Sequence, residues 1–260
     1  MEPSIYEFPE IFRRVHMERP GDIENEVAFL RQVWRRRLKR PVRRVLDIAC
    51  GDSPHGHLLA KDGVTVVGID RSPTMIAAGR SRSRAATAVR FYRRAIASFT
   101  LPEPPFDAAF FMSETFPIMR SNRDLMYHFK SVAKLLRTHG LYCIDIDRHD
   151  GVALSARRRL WRRRRVRVGR IGVEVREFHR PVAWDDAMHS IYELECKIHF
   201  PARTVVTRDV IPVRYTTPPL LELAARASGC FELAAAYADL SFQKPLARCG
   251  GRWLAVLRRT

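Results

Sequence analysis

Two acids and one glycine stand where backbone and side chains could grip a nucleotide together. Asp47 lies in the apolar run Val45-Leu46-Asp47-Ile48, and Asp70 closes a second run, Val66-Val67-Gly68-Ile69-Asp70. Between them come the small-residue stretch Ala49-Cys50-Gly51-Asp52-Ser53, then Pro54 and the apolar Leu58-Leu59-Ala60. A buried strand, a turn tight enough to bring backbone N–H groups to a ligand, and a helix make half of a nucleotide-binding βαβ unit. An acid at the tip of the next strand, 19 residues beyond Gly51, is placed to accept both hydroxyls of a ribose.

The wording of the turn narrows the nucleotide. A dinucleotide site uses Gly-x-Gly-x-x-Gly to admit a pyrophosphate, whereas here Asp52, Ser53, Pro54 and His55 separate Gly51 from Gly56. Leu46-Asp47-Ile48-Ala49-Cys50-Gly51, followed by Val67-Gly68-Ile69-Asp70-Arg71-Ser72-Pro73, resembles the first two motifs of class I S-adenosylmethionine-dependent methyltransferases of the small-molecule type. The resemblance implies an α/β fold: a seven-stranded Rossmann-like sheet with helices on both faces and a small antiparallel lobe inserted after the fifth strand. It implies S-adenosylmethionine as cofactor, with Asp47, Ala49, Cys50 and Gly51 around its methionine part and Asp70 on the ribose. Arg71 and Ala95 fall on the adenine side, Met112 lies at the same strand-end edge, and Tyr6 belongs to an N-terminal arm of the kind that folds over the cofactor. Two residues depart from the pattern. Ser53 stands where the family usually has glycine, and Ala95 where an acid often meets the adenine amine.

Composition bounds the rest. A chain of 260 residues buries one sizeable core with a small appended lobe. No stretch reaches the roughly 20 apolar residues of a membrane span, and the start Met1-Glu2-Pro3-Ser4-Ile5 lacks the basic and apolar regions of a signal peptide. Cys50, Cys143, Cys196, Cys230 and Cys249 are scattered, without metal spacing or a paired framework. They read as reduced residues of a cytoplasmic protein that needs no metal. The net charge of +18 rests on forty arginines and only six lysines. Nine of the arginines fall between Arg157 and Arg170, a cluster that either meets phosphates or an acidic partner, or forms a solvated helix face.

Elements follow from periodicity. Ile23, Val27, Leu30, Trp34 and Leu38 form one face of a helix over 22–38, with Asp22 as candidate N-cap. Strands are expected at 44–48, 65–69, 89–92, 106–112 and 141–146, with helices at 54–61, from Pro73, and at 122–136, the last ended by Gly140. Beyond Asp150, clean alternation over 191–200 predicts a half-exposed antiparallel strand, flanked by strands at 171–178 and 204–213. A helix at 218–227 and strands at 231–237 and 253–257 complete the sheet. The expected division is residues 1–40 as arm and helix covering the cofactor, 41–150 with 214–260 as core, and 151–213 as a lid lobe.

Candidates for chemistry on the acceptor lie at the strand ends. Glu114 and His149 are candidate bases, needed only if the nucleophile must lose a proton. Arg148 is a candidate anchor for an acidic substrate, and Tyr215 a candidate wall residue. The first reading is methyl transfer to N or O of a small metabolite, an anionic one if the arginines at 157–170 face the acceptor, by a monomer or homodimer that does not touch membranes. The second is an RNA or DNA methyltransferase using the arginine-rich surface, ranked lower because no RNA-binding module or aromatic-interleaved basic strand accompanies it. The third is a non-catalytic protein of the same fold, motivated by Ser53 and Ala95.

Overall fold

The computed structural model describes residues 3–16, 21–83, 89–113, 115–119, 121–147, 158–182, 189–249 and 251–260. Contacts divide the chain into two units: Gly21–Arg148 with Thr216–Thr260, and Met1–Pro20 with His149–Tyr215. The segment expected as one arm-and-helix piece, 1–40, therefore splits at Gly21 between the two.

The larger unit is built on seven strands: β1 (Arg44–Ile48), β2 (Thr65–Asp70), β3 (Val89–Arg93), β4 (Phe106–Phe111), β5 (Leu136–Asp147), and, numbered in chain order, β10 (Phe231–Ala238) and β11 (Arg252–Arg259). Their order is β10-β11-β5-β4-β1-β2-β3. The first five run parallel, and β11 pairs antiparallel with β5 and with β10. Strand order reverses between β1 and β4, which makes the carboxyl ends of these strands the natural ligand edge.

Successive residues of each strand are buried on opposite faces, which explains the near-continuous apolar runs. Leu46, Ile48, Tyr142 and Ile144 join one core with Leu125, Phe129 and Val132 of α5 (Asn122–Leu135) and Leu221 of α6 (Pro218–Ala227). Val45, Phe110, Cys143 and Val256 join the other, with Val27, Leu30 and Trp34 of α2 (Asp22–Arg37), Leu59 of α3 (Pro54–Lys61) and Ile76 of α4 (Pro73–Arg82). Ser72 caps α4 through its hydroxyl on the Met75 N–H, and Ser121 caps α5 on the Asp124 N–H.

Local chemistry moves two boundaries. The cap of α2 is Gly21 at φ +89°, and Asp22 is its first helical residue, where a carboxylate still favours the helix dipole. Gly140 does not end α5: the helix stops at Leu135 and β5 begins at Leu136. Gly140 lies inside that strand, where a Cβ would come 2.8 Å from the Arg137 carbonyl, beside a break in the β4–β5 register and next to His139 at φ +60°. This glycine serves an irregular strand rather than a helix exit.

The smaller unit is one antiparallel sheet, β6 (Arg159–Val168), β7 (Ile171–Pro181), β8 (His189–His199) and β9 (Thr204–Arg214), in that order. Its core joins Val173, Val175, Leu194, Cys196 and Ile198 to Ile5 and to Ile11 and Val15 of α1 (Pro9–His16). Asp209 ties the N-terminal turn to this sheet by accepting from the Ser4 hydroxyl (2.6 Å) and the Ile5 N–H (3.0 Å). Strand β6 and helix α1 were not foreseen. In β6 the alternation is masked by arginine, because Arg164 occupies an inner-face position, paired with Glu177 and with the Val15 carbonyl.

Candidate active site

The turn after β1 alternates in hand. Ala49, Gly51 and Ser53 have φ near +52°, +55° and +53°. Two of the three lack glycine's freedom, so the conformation is held by neighbours. The Cys50 N–H donates to the Ile69 carbonyl (2.9 Å), and the Ser53 N–H to the Cys50 carbonyl (2.7 Å). Cys50 Sγ lies 2.7 Å from where a Cβ on Gly68 would stand, so the glycine of β2 makes room for the turn.

Asp70 braces this turn from the neighbouring strand. Its Oδ2 accepts from the Gly51 N–H (2.9 Å) and its Oδ1 from the Ser72 N–H (2.8 Å). A carboxylate offers about four acceptor positions, so each oxygen keeps one for a further donor. Burial pushes the Asp70 carboxyl up, against the pull of the Ser72 and Gly51 N–H groups.

Asp47 is buried, and its Oδ2 accepts from the Ser53 hydroxyl at 2.7 Å. Burial raises its carboxyl to about 7, with Asp70 and Asp52 adding to the rise and His55 and Ser53 opposing it. Ser53 is thus not an intrusion on the ligand side of the turn. Its side chain is wholly buried, and its Oγ sits only 2.1 Å from where a Cβ on Gly56 would be. The serine in place of the family's glycine and the glycine at 56 are one packing solution. Asp52, also buried, is paired with Arg82 at 2.8 Å.

Two buried polar groups that sequence reading missed support this edge. Glu26 of α2 meets His55 Nε2 at 2.5 Å and Arg252 Nη1 at 2.6 Å. Burial disfavours its charge, yet His55 and Arg252 together hold its carboxyl below the usual range. The available signal was a carboxylate between Ile23 and Val27 on an otherwise apolar stripe. His128 of α5 bonds the Ile96 carbonyl through Nδ1 (2.6 Å) and the Tyr142 hydroxyl through Nε2 (2.7 Å). A neutral ring donating at Nδ1 and accepting at Nε2 satisfies both, and burial lowers its pKa to about 4. With Ser131 accepting from the Phe99 N–H (3.1 Å), it anchors the loop after β3.

Of the sequence candidates, Asp47, Ala49, Cys50, Gly51 and Asp70 come together at this turn. Arg71 is exposed beside Asp70, Ala95 is exposed on the loop after β3, and Met112 is buried directly after β4. Tyr6 and Tyr215 belong to the smaller unit, where the Tyr6 ring packs tilted against Phe12 (4.7 Å between centroids) and the Tyr215 hydroxyl donates to Ser190 Oγ (2.8 Å). Glu114, Arg148 and His149 lie outside the described residues. Among the described residues no group of His, Cys, Asp and Glu could hold a metal ion, and no helix is long and apolar enough to cross a membrane.

The turn, the bracing acid and the strand order describe one kind of domain, and residues 45–140 match the family described as methyltransferase domain. These residues form a methyltransferase domain. The chain is 27% identical over 103 residues to the putative methyltransferase YqeM of Bacillus subtilis (strain 168), a match covering 40% of this chain and 42% of that protein. The chain spans about two fifths of the length of the curated relatives it matches. Solved structures extend the likeness of fold to nearly the whole chain. An S-adenosylmethionine-dependent methyltransferase from Clostridium acetobutylicum ATCC 824 superposes with a TM-score of 0.78 at 14% identity, covering 96% of this chain and 97% of that one. The sugar N-methyltransferase KedS8 from Streptoalloteichus sp ATCC 53650 gives 0.74 at 21%, covering 94% and 92%. The methyltransferase domain therefore sits within the Rossmann-like fold of S-adenosylmethionine-dependent methyltransferases, with the antiparallel sheet included in the likeness.

Proposed function

We propose that this protein is an S-adenosylmethionine-dependent methyltransferase that methylates N or O of a small metabolite. The observation that carries the reading is the pair of acids at adjacent strand ends. Asp47 is a buried acid whose proton affinity is raised chiefly by burial and further by Asp70 and Asp52, and Asp70 keeps acceptor positions after bracing Gly51. A cofactor bearing an ammonium at one end and ribose hydroxyls further along matches that pair, so the residues fit the group. Asp47 is assigned to the ammonium, Asp70 to the ribose, and the backbone of Ala49, Cys50 and Gly51 to the methionine portion. The loop anchored by His128, which carries Ala95, is assigned to the adenine, with Arg71 and Met112 flanking it.

The cofactor supplies a methyl group activated by the adjacent sulfonium. The protein's contribution to an in-line displacement of this kind is positioning and exclusion of water. Glu114 and His149 remain candidate bases, Arg148 a candidate substrate anchor, Tyr6 a candidate cofactor contact and Tyr215 a candidate wall residue for the substrate. That KedS8 is a sugar N-methyltransferase of the same fold supports a small polar acceptor with an amino or hydroxyl group. The test is a turnover assay with S-adenosylmethionine over a panel of amino sugars, hydroxylated metabolites and their phosphorylated or carboxylated analogues, with an RNA oligonucleotide as the competing class. Formation of S-adenosylhomocysteine with a small acceptor is expected. Turnover with RNA alone would replace this reading with the nucleic-acid one.

A further inference from the structure

The amino-terminal edge of the larger sheet, where the parallel strands begin, carries a second constellation. An open cleft of about 590 Å³ is lined by Arg40, Arg43, Arg44, Asp107, Arg137 and Thr138. Asp107, the second residue of β4, is buried and fully engaged. Its Oδ2 accepts the N–H groups of Arg43 (2.9 Å) and Arg44 (3.0 Å), and its Oδ1 meets Nε of Arg40 (3.3 Å) and of Arg137 (3.2 Å). Both of those arginines pair with the carboxylate through Nε, which leaves their terminal amino groups outside the pair. Arg44 turns Nη2 to the buried Glu103 (2.9 Å), which also takes Arg90 (3.0 Å). Arg43 contributes its backbone to Asp107, while its exposed guanidinium has no acidic partner within 4.0 Å among the described residues.

Five guanidinium groups thus surround two carboxylates whose acceptor positions are already engaged. Arg40 Nη2 and Arg44 Nε are buried without a hydrogen-bond partner, a state that carries a desolvation cost unless something binds there. A planar carboxylate is satisfied by a single arginine fork. Arginines approaching from several sides of a concave wall match the several oxygens of a tetrahedral dianion better. The cleft has the size of a small-molecule pocket and is concave, unlike an extended surface that would track a nucleic-acid backbone. We propose that this cleft is a binding site for a phosphate-bearing small molecule, at the opposite end of β1 and β4 from the turn that holds Asp47.

The proposal does not depend on the methyl-transfer reading. The full chain is titrated calorimetrically with inorganic phosphate and with pyrophosphate, against sodium chloride of matched ionic strength. Saturable one-to-one binding of either anion is expected, and the preferred one tells whether the cleft reads a single phosphate or two. Arg43→Ala should weaken that binding at least tenfold. It keeps the backbone N–H on Asp107, so melting temperature without anion and S-adenosylmethionine affinity should not change. Arg137→Ala should weaken binding similarly, and Arg163→Ala on exposed β6 should leave it unaltered. Heat that does not saturate, an equal response to chloride, or undiminished binding in both Arg43→Ala and Arg137→Ala would overturn the proposal.

Discussion

The larger unit's turn and the smaller unit's sheet both bury carboxylates, and they treat them in opposite ways. In the turn, Asp47 is buried and Asp70 half-buried, and desolvation raises the proton affinity of both despite His55 near the first and Arg71 near the second. In the small sheet, Glu193 is equally hidden, but beneath guanidinium groups: Arg158 (3.0 Å), Arg180 (2.7 Å) and Arg208 (3.0 Å). Burial alone would raise its carboxyl, and the three arginines instead hold it near 2. The phenyl ring of Phe178 completes that cluster, with Arg158 stacked 3.4 Å from its centre. An acid satisfied from within is structural. An acid at a strand end whose desolvation is not offset from within is a candidate for binding rather than packing, and the proposed cofactor site rests on that difference.

The largest effect should come from the satisfied acid. Glu193→Ala leaves three arginines crowded without their counter-charge. It should destabilise the smaller unit by about 3 kcal/mol, at the low end for a broken buried pair because the arginines are partly solvated. Thermal unfolding in the variant measures it, and S-adenosylmethionine affinity should not move. Because the folded carboxyl titrates near 2 rather than at the usual 4.5, this stabilisation is present above about pH 4.5 and is lost as pH falls toward 2. An unchanged melting temperature would erase the contrast between the two regions.

Gly56→Ala tests the packing beneath the turn. The new methyl group would displace the Ser53 hydroxyl from Asp47, costing about 2 kcal/mol. Ser53→Gly in the same chain removes the clash, so the double variant should be more stable than Gly56→Ala alone. If the two substitutions are simply additive, Ser53 and Gly56 are not the coupled pair described above.

Asp47→Asn should have the opposite sign to Glu193→Ala. The folded carboxyl of Asp47 titrates near 7, far above 3.8, so its contribution is intact below about pH 4 and is lost as pH rises to 7. At pH 8 the asparagine should raise the melting temperature of the unliganded protein, by about 1 kcal/mol of stability, and weaken S-adenosylmethionine binding. Wild-type affinity should rise with pH up to about 7 for the same reason. A variant that loses both stability and affinity would mean that Asp47 braces the fold and does not meet the cofactor.

The sequence was most legible where backbone geometry and residue type constrain each other. Pro54 and Ser72-Pro73 mark helix starts because proline needs no N–H there, and those helices begin where expected. Runs buried on both faces announced β1, β2 and β4 to within a residue. Strand β6 was hidden because arginine stands at both inner and outer positions, so its alternation is visible only in Val166 and Val168. Glu193 lies on the polar side of the alternation over 191–200 and is nonetheless buried, by Arg180 of β7, Arg208 of β9 and Arg158 just before β6. Ser53 read as a defect when compared with a glycine pattern, because the hydroxyl's partner, Asp47, lies six residues earlier and its matching space at Gly56 three later. Ion pairs across distant elements, such as Glu26 with Arg252, leave no periodic trace.

The central claim is that the turn after β1 and the acid at the tip of β2 hold S-adenosylmethionine, and Asp70 tests it most directly. Calorimetric titration of S-adenosylmethionine should give saturable one-to-one binding in the wild-type protein. Asp70→Ala removes a charge-assisted acceptor and the brace on Gly51, so its affinity should fall by about 1.5–3 kcal/mol, roughly ten- to a hundredfold, while its circular dichroism stays native. Unchanged affinity in folded Asp70→Ala, or no binding by the folded wild-type protein at millimolar cofactor, would contradict the account.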